Sequence, residues 1–194
     1  MSTALPSTDF FTGYASRLQA SLASAEWSGV AQLAANIHEC WLQKRQVFIC
    51  GNGGSAGNAI HLANDFLYGI AKRPGGGLRV NALSANPAVI TCLANDIGYE
   101  RIYSEQLSVM ANPDDVLIVL SGSGNSPNIV AALEQAKAMN VKSYAILGFS
   151  GGRSKQLADV PIHFSVDDMQ ISEDLQLVVG HMLMQWLYDN RPKL

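Results

Sequence analysis

The chain alternates short apolar runs with stretches of helical periodicity, and this alternation constrains its fold more than any other feature of the sequence. Five apolar runs predict β-strands, at residues 46–50, 78–83, 115–120, 142–147 and 160–164. Helical spacing predicts helices between and after them, at residues 56–70, 88–94, 100–110, 129–139 and 171–188. The alternation indicates an α/β protein, a doubly wound three-layer sandwich with a five-stranded parallel sheet. Ligands bind such sheets at the carboxyl ends of the strands.

Residues 1–44 are predicted to form a helical segment that precedes the sheet domain of residues 45–194. Apolar side chains at helical spacing over residues 8–44 predict two helices, which divide at Ser28 and Gly29. We expect this segment to pack on the sheet domain and on an oligomer partner.

Serines and glycines fill the turn after the third predicted strand, in the order Ser121-Gly-Ser-Gly-Asn-Ser-Pro-Asn128. A turn between a strand and a helix presents free backbone N–H groups at the positive end of the helix dipole. Glycines let a ligand approach the backbone, and the hydroxyls of Ser121, Ser123 and Ser126 add donors. These features predict a phosphate site. The lysine of a nucleotide P-loop is missing, which favours a sugar phosphate over a triphosphate.

A second turn of this kind, Gly51-Asn-Gly-Gly-Ser55, ends the first predicted strand and opens a helix. On that helix His61 and Asp65 are four residues apart, so both side chains lie on one face. An imidazole and a carboxylate so placed can share a metal ion or a proton. The alternative is a tight turn without a ligand and a surface histidine. The presence of two such turns in one small domain counts against that alternative.

Three stretches resemble the sugar isomerase (SIS) domain family: GNGGSAGNAIHLAND, NALSANPAVITCLANDIGYE and DVLIVLSGSGNSPNIVAALEQAK. Within that family they are most similar to the phosphoheptose isomerases, over residues 46–187. The resemblance implies a flavodoxin-like SIS fold and a homotetramer with active sites between subunits. It also implies an aldose–ketose isomerase that interconverts sedoheptulose 7-phosphate and D-glycero-D-manno-heptose 7-phosphate through an enediol. Such a reaction serves heptose biosynthesis, for lipopolysaccharide or another glycan.

The resemblance implies roles for individual residues as well. Asp65 would be the catalytic base and His181 the catalytic acid. Zinc is the implied cofactor, with His61, Asp65, Glu173 and His181 as its ligands. The residues implied to bind the substrate are Asn52, Gly53, Gly54, Ser55, Asp65, Asn95, Asp96, Ser121, Gly122, Ser123, Ser126 and Glu173.

Three residues depart from the family's pattern. The family has a Glu at the position of Asp65, so the carboxylate here is withdrawn by ~1.5 Å, and a displacement of ~1 Å can lower a rate ~10²-fold. The family's Gln is Glu173, which adds a negative charge that a metal ion would tolerate. The usual Thr of the phosphate loop is Gly122, which removes one hydroxyl donor. The two carboxylate changes indicate a re-tuned metal site, and a decayed site is the alternative.

Glu173 and His181 lie on one predicted helix, about 12 Å apart along its axis at ~1.5 Å per residue. Zinc–ligand bonds are ~2 Å long, so one ion cannot bind both side chains from a single straight helix. Either one of the two is a ligand, or two chains meet at the site. The apolar face of this helix is wide enough to pack on a partner as well as on its own sheet, and an ordinary core face is the alternative.

Composition excludes several classes of partner. A net charge of −3 argues against nucleic acid and against anionic membrane surfaces, and no apolar run has the length of a membrane span. The cysteines, Cys40, Cys50 and Cys92, match no zinc spacing, which predicts reduced thiols and a cytoplasmic location. The N-terminal residues lack the pattern of a signal peptide.

Two other functions stay open. The chain could be a non-catalytic SIS module that binds a protein, as initiator-associating members of the family do, or a sugar-phosphate sensor. The altered carboxylates favour that interpretation, whereas the presence of both His61 and His181 counts against it. The chain could also isomerise another phosphosugar.

Overall fold

The computed structural model describes residues 5–192. The first four residues, on which part of the signal-peptide prediction depends, and the last two lie outside this range. The strands are β1 (Gln46–Gly51), β2 (Arg79–Ala82), β3 (Val116–Ser121), β4 (Lys142–Leu147) and β5 (Val160–His163). The α-helices are α1 (Thr8–Ala23), α2 (Ser28–Leu42), α3 (Gly54–Asn64), α4 (Pro87–Asp96), α5 (Ser104–Met110), α6 (Pro127–Ala138), α7 (Ser154–Leu157) and α8 (Met169–Asp189).

The five strands form one parallel sheet in the order β2-β1-β3-β4-β5, which confirms the predicted fold class. The strand order reverses at β1 and β3, which lie side by side with Val47 opposite Val116 and Gly51 opposite Leu120. A ligand crevice forms outside the carboxyl ends of strands at such a reversal. Helix α3 follows β1 on one face of the sheet, and α6 follows β3 on the opposite face. The loops after these two strands therefore border one crevice.

Alternate residues of each strand face opposite sides of the sheet and pack in two separate cores. Val47 and Ile49 belong to the core beneath α2, α3 and α8. Phe48 and Cys50 belong to the core beneath α5 and α6. The sheet is therefore the middle of three layers, with both faces covered, as its nearly unbroken apolar strands require.

Two predicted helices differ in form. The helix predicted over residues 56–70 begins earlier, at Gly54, and its last turn is a π-helix, Asp65–Gly69, in which the Ile70 N–H donates to the Asp65 carbonyl at 3.0 Å. The helix predicted over residues 100–110 is a 3₁₀ turn, Tyr99–Arg101, followed by α5. The sequence pattern did not predict the four-residue α7. Periodicity identifies a helix but carries little information on local changes of pitch.

The two N-terminal helices attach to the domain differently. Helix α2 contributes Leu33 and Ile37 to the core, and both side chains are fully buried. Helix α1 lies against α8, where the Tyr14 hydroxyl donates to the Asp174 carboxylate at 2.5 Å. That hydrogen bond is the main reason why the pKa of Tyr14 rises to about 12. Helix α1 is therefore attached by this hydrogen bond together with Leu18 and Leu22, which pack partly buried against the core.

Asp168 caps the N-terminus of α8, and its stabilising effect should depend on pH. Its carboxylate accepts from the N–H groups of Gln170 and Ile171, and Arg17 approaches to 3.2 Å. These contacts, led by the Ile171 N–H, hold the pKa of Asp168 below its usual 3.8. A lowered pKa in the folded state stabilises the protein above the usual value, and this stabilisation is lost as pH falls through the folded value.

We therefore expect Asp168→Asn to lower the free energy of unfolding at neutral pH, since Asn keeps the cap geometry but lacks the charge. Urea unfolding, measured from about pH 8 to about pH 3.5, gives the free energy of unfolding of both proteins. The variant's value should be lower than that of the wild type by a constant amount above about pH 5, and this difference should narrow at lower pH. A difference that widens on acidification would contradict this assignment.

Candidate active site

The loops that follow β1 and β3 line one pocket of about 290 Å³, which the first turns of α8 close on a third side. This pocket brings together most of the residues predicted to bind substrate. Its lining consists of Asn52, Gly53, Gly54, Ser55, Leu120, Ser121, Gly122, Ser123, Ser126, Met169 and Glu173. The two Gly/Ser turns thus meet, as expected from their positions at the carboxyl ends of neighbouring strands.

Three serine hydroxyl oxygens in the pocket accept hydrogen bonds from the protein. Ser121 Oγ accepts from the Gly124 N–H at 3.1 Å, and Ser123 Oγ accepts from the Asn125 N–H at 3.3 Å. Ser55 Oγ accepts from Gln176 Nε2 at 3.0 Å. Because the oxygens are engaged as acceptors, the hydroxyl hydrogens can donate to a bound anion. The N-termini of α3 and α6 point at the same space and add backbone donors.

A reciprocal amide pair joins the two loops. Asn52 and Asn128 each donate to the other's Oδ1, at 2.8 Å in both directions. Asn128 is buried, and the buried Tyr103 hydroxyl donates to the Gly51 carbonyl beneath the pair. The pair fixes the spacing of the two halves of the pocket. The sequence analysis missed Asn128 and Tyr103, because nothing in the sequence indicates which distant polar side chains pair.

Loss of this pair should weaken ligand binding. We expect Asn128→Ala to raise the KM for a phosphorylated sugar about tenfold and to cost roughly 1–3 kcal/mol of stability, because it leaves the Asn52 amide without its partner. Steady-state kinetics and urea unfolding measure the two effects. Asn112→Ala, an exposed site at the opposite end of β3, is the matched control and should change neither. An unchanged KM in Asn128→Ala would exclude a positioning role.

His61, Asp65 and His181 form a compact cluster on α3, its π-turn and α8, about two helical turns from the residues of these helices that line the pocket. The Nε2 atoms of the two histidines are 2.9 Å apart, and Asp65 Oδ2 lies 3.5 Å from His61 Nε2 and 3.8 Å from His181 Nε2. The carboxylate is mostly buried, whereas each imidazole is about half exposed, with 48% and 49% of its side-chain surface accessible. Two imidazoles and a carboxylate so placed can bind a metal ion or transfer a proton.

Close packing of α8 on α3 brings His181 to this cluster. Gly180 lies directly against the buried Leu62, and a Cβ at position 180 would overlap the Leu62 side chain. Gln176 strengthens the same contact, because its buried side chain accepts from Asn58 and donates to Ser55. The two helices therefore approach closely enough for imidazoles from residues 120 positions apart to touch. Neither Gly180 nor Gln176 was singled out in the sequence.

Glu173, predicted as a fourth metal ligand, lies away from the His61–Asp65–His181 cluster. Glu173 lines the pocket against Gly54, whereas the possible metal-binding group found among residues 5–192 consists of His61, Asp65 and His181. The single chain thus brings His181, and not Glu173, to His61 and Asp65, as the spacing on α8 requires. The role of Glu173 as a fourth ligand stays a prediction.

Asn95 and Asp96, predicted to bind sugar hydroxyls, lie on the exposed end of α4. Asn95 Nδ2 donates to the Asp96 carboxylate at 2.8 Å, and Cys92 Sγ donates to the same carboxylate at 3.5 Å. Tyr99, just beyond α4, connects this region to the pocket through its hydroxyl, which donates to Asn52 at 3.3 Å. Contact of Asn95 and Asp96 with a substrate stays a prediction.

Two further observations concern the expectations about membrane spans and cysteine thiols. Over residues 5–192, no helix combines the length and the apolar character that crossing a membrane requires. All three cysteines are free thiols, with Cys40 and Cys50 buried and Cys92 exposed. Burial raises the pKa of the Cys40 thiol to about 11, which keeps it in the protonated, unreactive form.

Comparison with known proteins assigns this chain to a family. The model of the SIS domain matches residues 10–148, which is most of the chain, so the protein is a SIS-domain protein. The match begins within α1. Two curated relatives are named phosphoheptose isomerase. The one from Helicobacter pylori (strain P12) is 38% identical over 138 residues, 71% of each chain. The one from Desulfovibrio desulfuricans is 30% identical over 190 residues, 94% of this chain and 90% of the relative.

A solved structure agrees with these sequence matches. The structure of a phosphoheptose isomerase from Francisella tularensis superimposes with a TM-score of 0.88 at 28% identity, and the alignment covers 95% of this chain and all of that one. Within the SIS-domain proteins, this chain belongs to the phosphoheptose isomerase family.

Proposed function

We propose that this protein is an aldose–ketose isomerase that interconverts sedoheptulose 7-phosphate and D-glycero-D-manno-heptose 7-phosphate. One observation carries the proposal: helices α3 and α8, which line a serine-rich pocket, also carry the His61–Asp65–His181 cluster about two turns further along, in a chain whose relatives are named phosphoheptose isomerase. The pocket supplies phosphate binding, and the cluster supplies groups that accept and donate protons. Both are needed to isomerise a phosphorylated sugar.

The phosphate is proposed to bind the Ser121–Ser126 loop and the N-terminus of α6. This contact is remote from the reacting carbons and orients them for reaction. Asp65 removes a proton from the carbon next to the carbonyl, which gives an enediol, and the proton returns to the neighbouring carbon. His181 serves as the acid that moves a proton to and from the sugar oxygens. His61, in contact with both groups, holds them in register.

Zinc is the proposed cofactor, because the donor set fits it. A histidine–carboxylate–histidine set is characteristic of catalytic zinc sites that keep one position open, and the three ligand atoms here lie within 4.8 Å of one another. His61, Asp65 and His181 would hold the ion through one atom each, and the second carboxylate oxygen of Asp65 and the second ring nitrogen of His181 would stay available for proton transfer. Bound there, it would polarise the carbonyl oxygen of the sugar.

A homotetramer with active sites between subunits is proposed as the assembly. An apolar groove of about 310 Å³ runs between α2 and α8, lined by residues that include Trp27, Met182 and Trp186. Met182 and Trp186 are about 40% exposed, so the groove presents large apolar side chains to a partner subunit. Light scattering on the purified protein tests the tetramer. The cytoplasmic location stays a prediction, as does the role in heptose biosynthesis for lipopolysaccharide or another glycan.

The test of function is turnover of sedoheptulose 7-phosphate, measured by chromatographic separation of the two heptose phosphates, together with metal analysis of the purified protein. Hexose and pentose ketose phosphates assayed in parallel distinguish an isomerase of another phosphosugar. Sugar-phosphate binding without turnover of any of these, with or without added zinc, would contradict the proposal and favour the sensor.

A further inference from the structure

A second loop supports the Ser121–Ser126 loop from behind. This supporting loop, residues 148–154, runs from β4 into α7. Three of its backbone N–H groups donate to the neighbouring loop: Gly148 to the Gly122 carbonyl at 3.0 Å, Ser154 to the Gly124 carbonyl at 2.9 Å and Arg153 to Asn125 Oδ1 at 3.0 Å. The two backbones are in direct contact, because a Cβ on Gly124 would overlap the Gly151 carbonyl oxygen. A shift of the supporting loop would therefore displace the Ser121–Ser126 loop.

Phe149 connects the supporting loop to the wall of the pocket. Its φ is +45°, in the left-handed region that a non-glycine residue occupies only where surrounding contacts hold it. Its ring lies over Gly122, since a Cβ on that glycine would be 3.4 Å from Phe149 Cε2. Gly122 lines the pocket. The backbone conformation of Phe149 therefore determines where an aromatic ring packs against the pocket wall.

His163, the last residue of β5, holds this conformation. Its Nε2 lies 2.9 Å from the Phe149 carbonyl oxygen, and Lys155 Nζ lies 3.0 Å from its Nδ1. A carbonyl group only accepts and an ammonium group only donates, so a neutral imidazole with its hydrogen on Nε2 satisfies both contacts. The Phe149 N–H donates in turn to the Val166 carbonyl at 2.9 Å. Both backbone polar groups of the strained residue are thus engaged, and His163 supplies the one side-chain contact.

We propose that His163 is a positioning residue for phosphate binding. Its Nε2–H fixes Phe149, and through Phe149 it keeps the supporting loop and the Ser121–Ser126 loop in the arrangement that binds a phosphate. This inference rests on the proposed function and adds a positioning residue to its site. The role requires a hydrogen-bond donor at the place of Nε2 and no exchange of a proton with the substrate.

The first test measures binding of inorganic phosphate by calorimetry. His163→Leu removes the donor, and the phosphate affinity should fall about tenfold, which corresponds to the net contribution of one hydrogen bond. His163→Gln keeps an N–H group near the place of Nε2, so its phosphate affinity should stay within about threefold of wild type. Equal phosphate affinity in wild type and His163→Leu, or an equal loss in both variants, would overturn the proposal.

His38→Leu is the matched control. The Nε2 of His38 also donates to a backbone carbonyl, that of Asn190 at 2.9 Å, just beyond the end of α8 that lies far from the pocket. This variant loses the same kind of hydrogen bond and should change the phosphate affinity less than about twofold. Urea unfolding of both leucine variants measures their loss of stability separately. A loss of affinity as large in His38→Leu would trace the effect to general destabilisation and overturn the proposal.

A variant of Phe149 tests the path by which His163 acts. Phe149→Gly removes the ring and relieves the left-handed backbone, so the phosphate affinity should fall and the contact with His163 should lose its effect. In that background, His163→Leu should change the phosphate affinity less than about twofold, because the two residues act in one chain of contacts. Wild-type affinity in Phe149→Gly, or a further loss of about tenfold in the double variant, would overturn the proposal.

Steady-state kinetics separates positioning from a role in chemistry. His163→Leu should raise the KM for sedoheptulose 7-phosphate about tenfold and keep kcat within about threefold, because the phosphate is bound alike in the ground state and the transition state. A fall in kcat of more than about tenfold would overturn the proposal in favour of a catalytic role. The phosphate titrations need no turnover. An inactive wild type whose phosphate affinity depends on His163 would contradict the proposed function and leave the positioning role standing.

Discussion

Replacement of Asp65 by Asn is expected to lower kcat/KM for sedoheptulose 7-phosphate by about 10³-fold. The amide has the same shape but cannot accept the proton, and positioned general bases contribute ~10²- to 10⁴-fold to a rate. The change also removes the negative charge that lies between the two imidazoles, 3.5 Å from one and 3.8 Å from the other. Steady-state kinetics measures the loss. Metal analysis of the same variant shows whether the carboxylate also retains an ion.

Asp167→Asn is the control for this substitution, because Asp167 is exposed before α8 and the same change of charge there should leave kcat/KM within about twofold. If Asp65→Asn kept more than a tenth of wild-type kcat/KM, another residue would have to be the base. In that case the shortened carboxylate would have lost its catalytic role during divergence from the Glu of the family.

Replacement of Gly77 by Ala is expected to lower the free energy of unfolding by about 3 kcal/mol, near the upper end of what a single methyl group causes. A Cβ on Gly77 would overlap the Leu67 carbonyl oxygen. The obstacle is backbone, so no side-chain rotation relieves it. The Leu78 N–H also donates to the Phe66 carbonyl at 3.0 Å, which fixes this segment against the π-turn. Urea unfolding measures the loss of stability.

Activity should fall in the same variant, because Asp65 is the first residue of the π-turn that Gly77 supports. Gly57→Ala is the matched control: a Cβ there meets no atom within 4 Å, and alanine in a helix is favoured over glycine by up to ~1 kcal/mol. That control should be as stable as the wild type or slightly more so. A Gly77→Ala variant with wild-type stability would show that the loop can move away from the turn at little cost.

The sequence was sufficient to predict the sheet and the positions of the two Gly/Ser turns. Each depends on local signals, namely apolar runs of strand length and Gly/Ser clusters directly after them, and the structure confirms the five-stranded parallel sheet. Adjacency of the turns follows from their positions at the carboxyl ends of strands at the reversal of strand order. The spacing of His61 and Asp65 similarly predicted a shared face of one helix.

The features that the sequence did not provide depend on contacts between distant segments. Asn52 and Asn128 are 76 residues apart, and their pairing is visible only once β1 and β3 are neighbours. The π-turn at Asp65 depends on packing against the segment around Gly77. Glu173 matched a family ligand by position along the chain, yet the pitch of α8 sets it two turns away from His181, beside Gly54.

Helix α8 contributes to the pocket through Glu173 and to the histidine cluster through His181, and Gln176 and Gly180 between them fit against α3. Insertion of one residue between Glu173 and His181 would turn every later side chain by about 100°. His181 would then leave His61, and Gly180 would no longer oppose Leu62. Divergence within this stretch is therefore restricted to substitution. Insertions and deletions among related chains should fall outside it, in loops such as the one between the π-turn and β2.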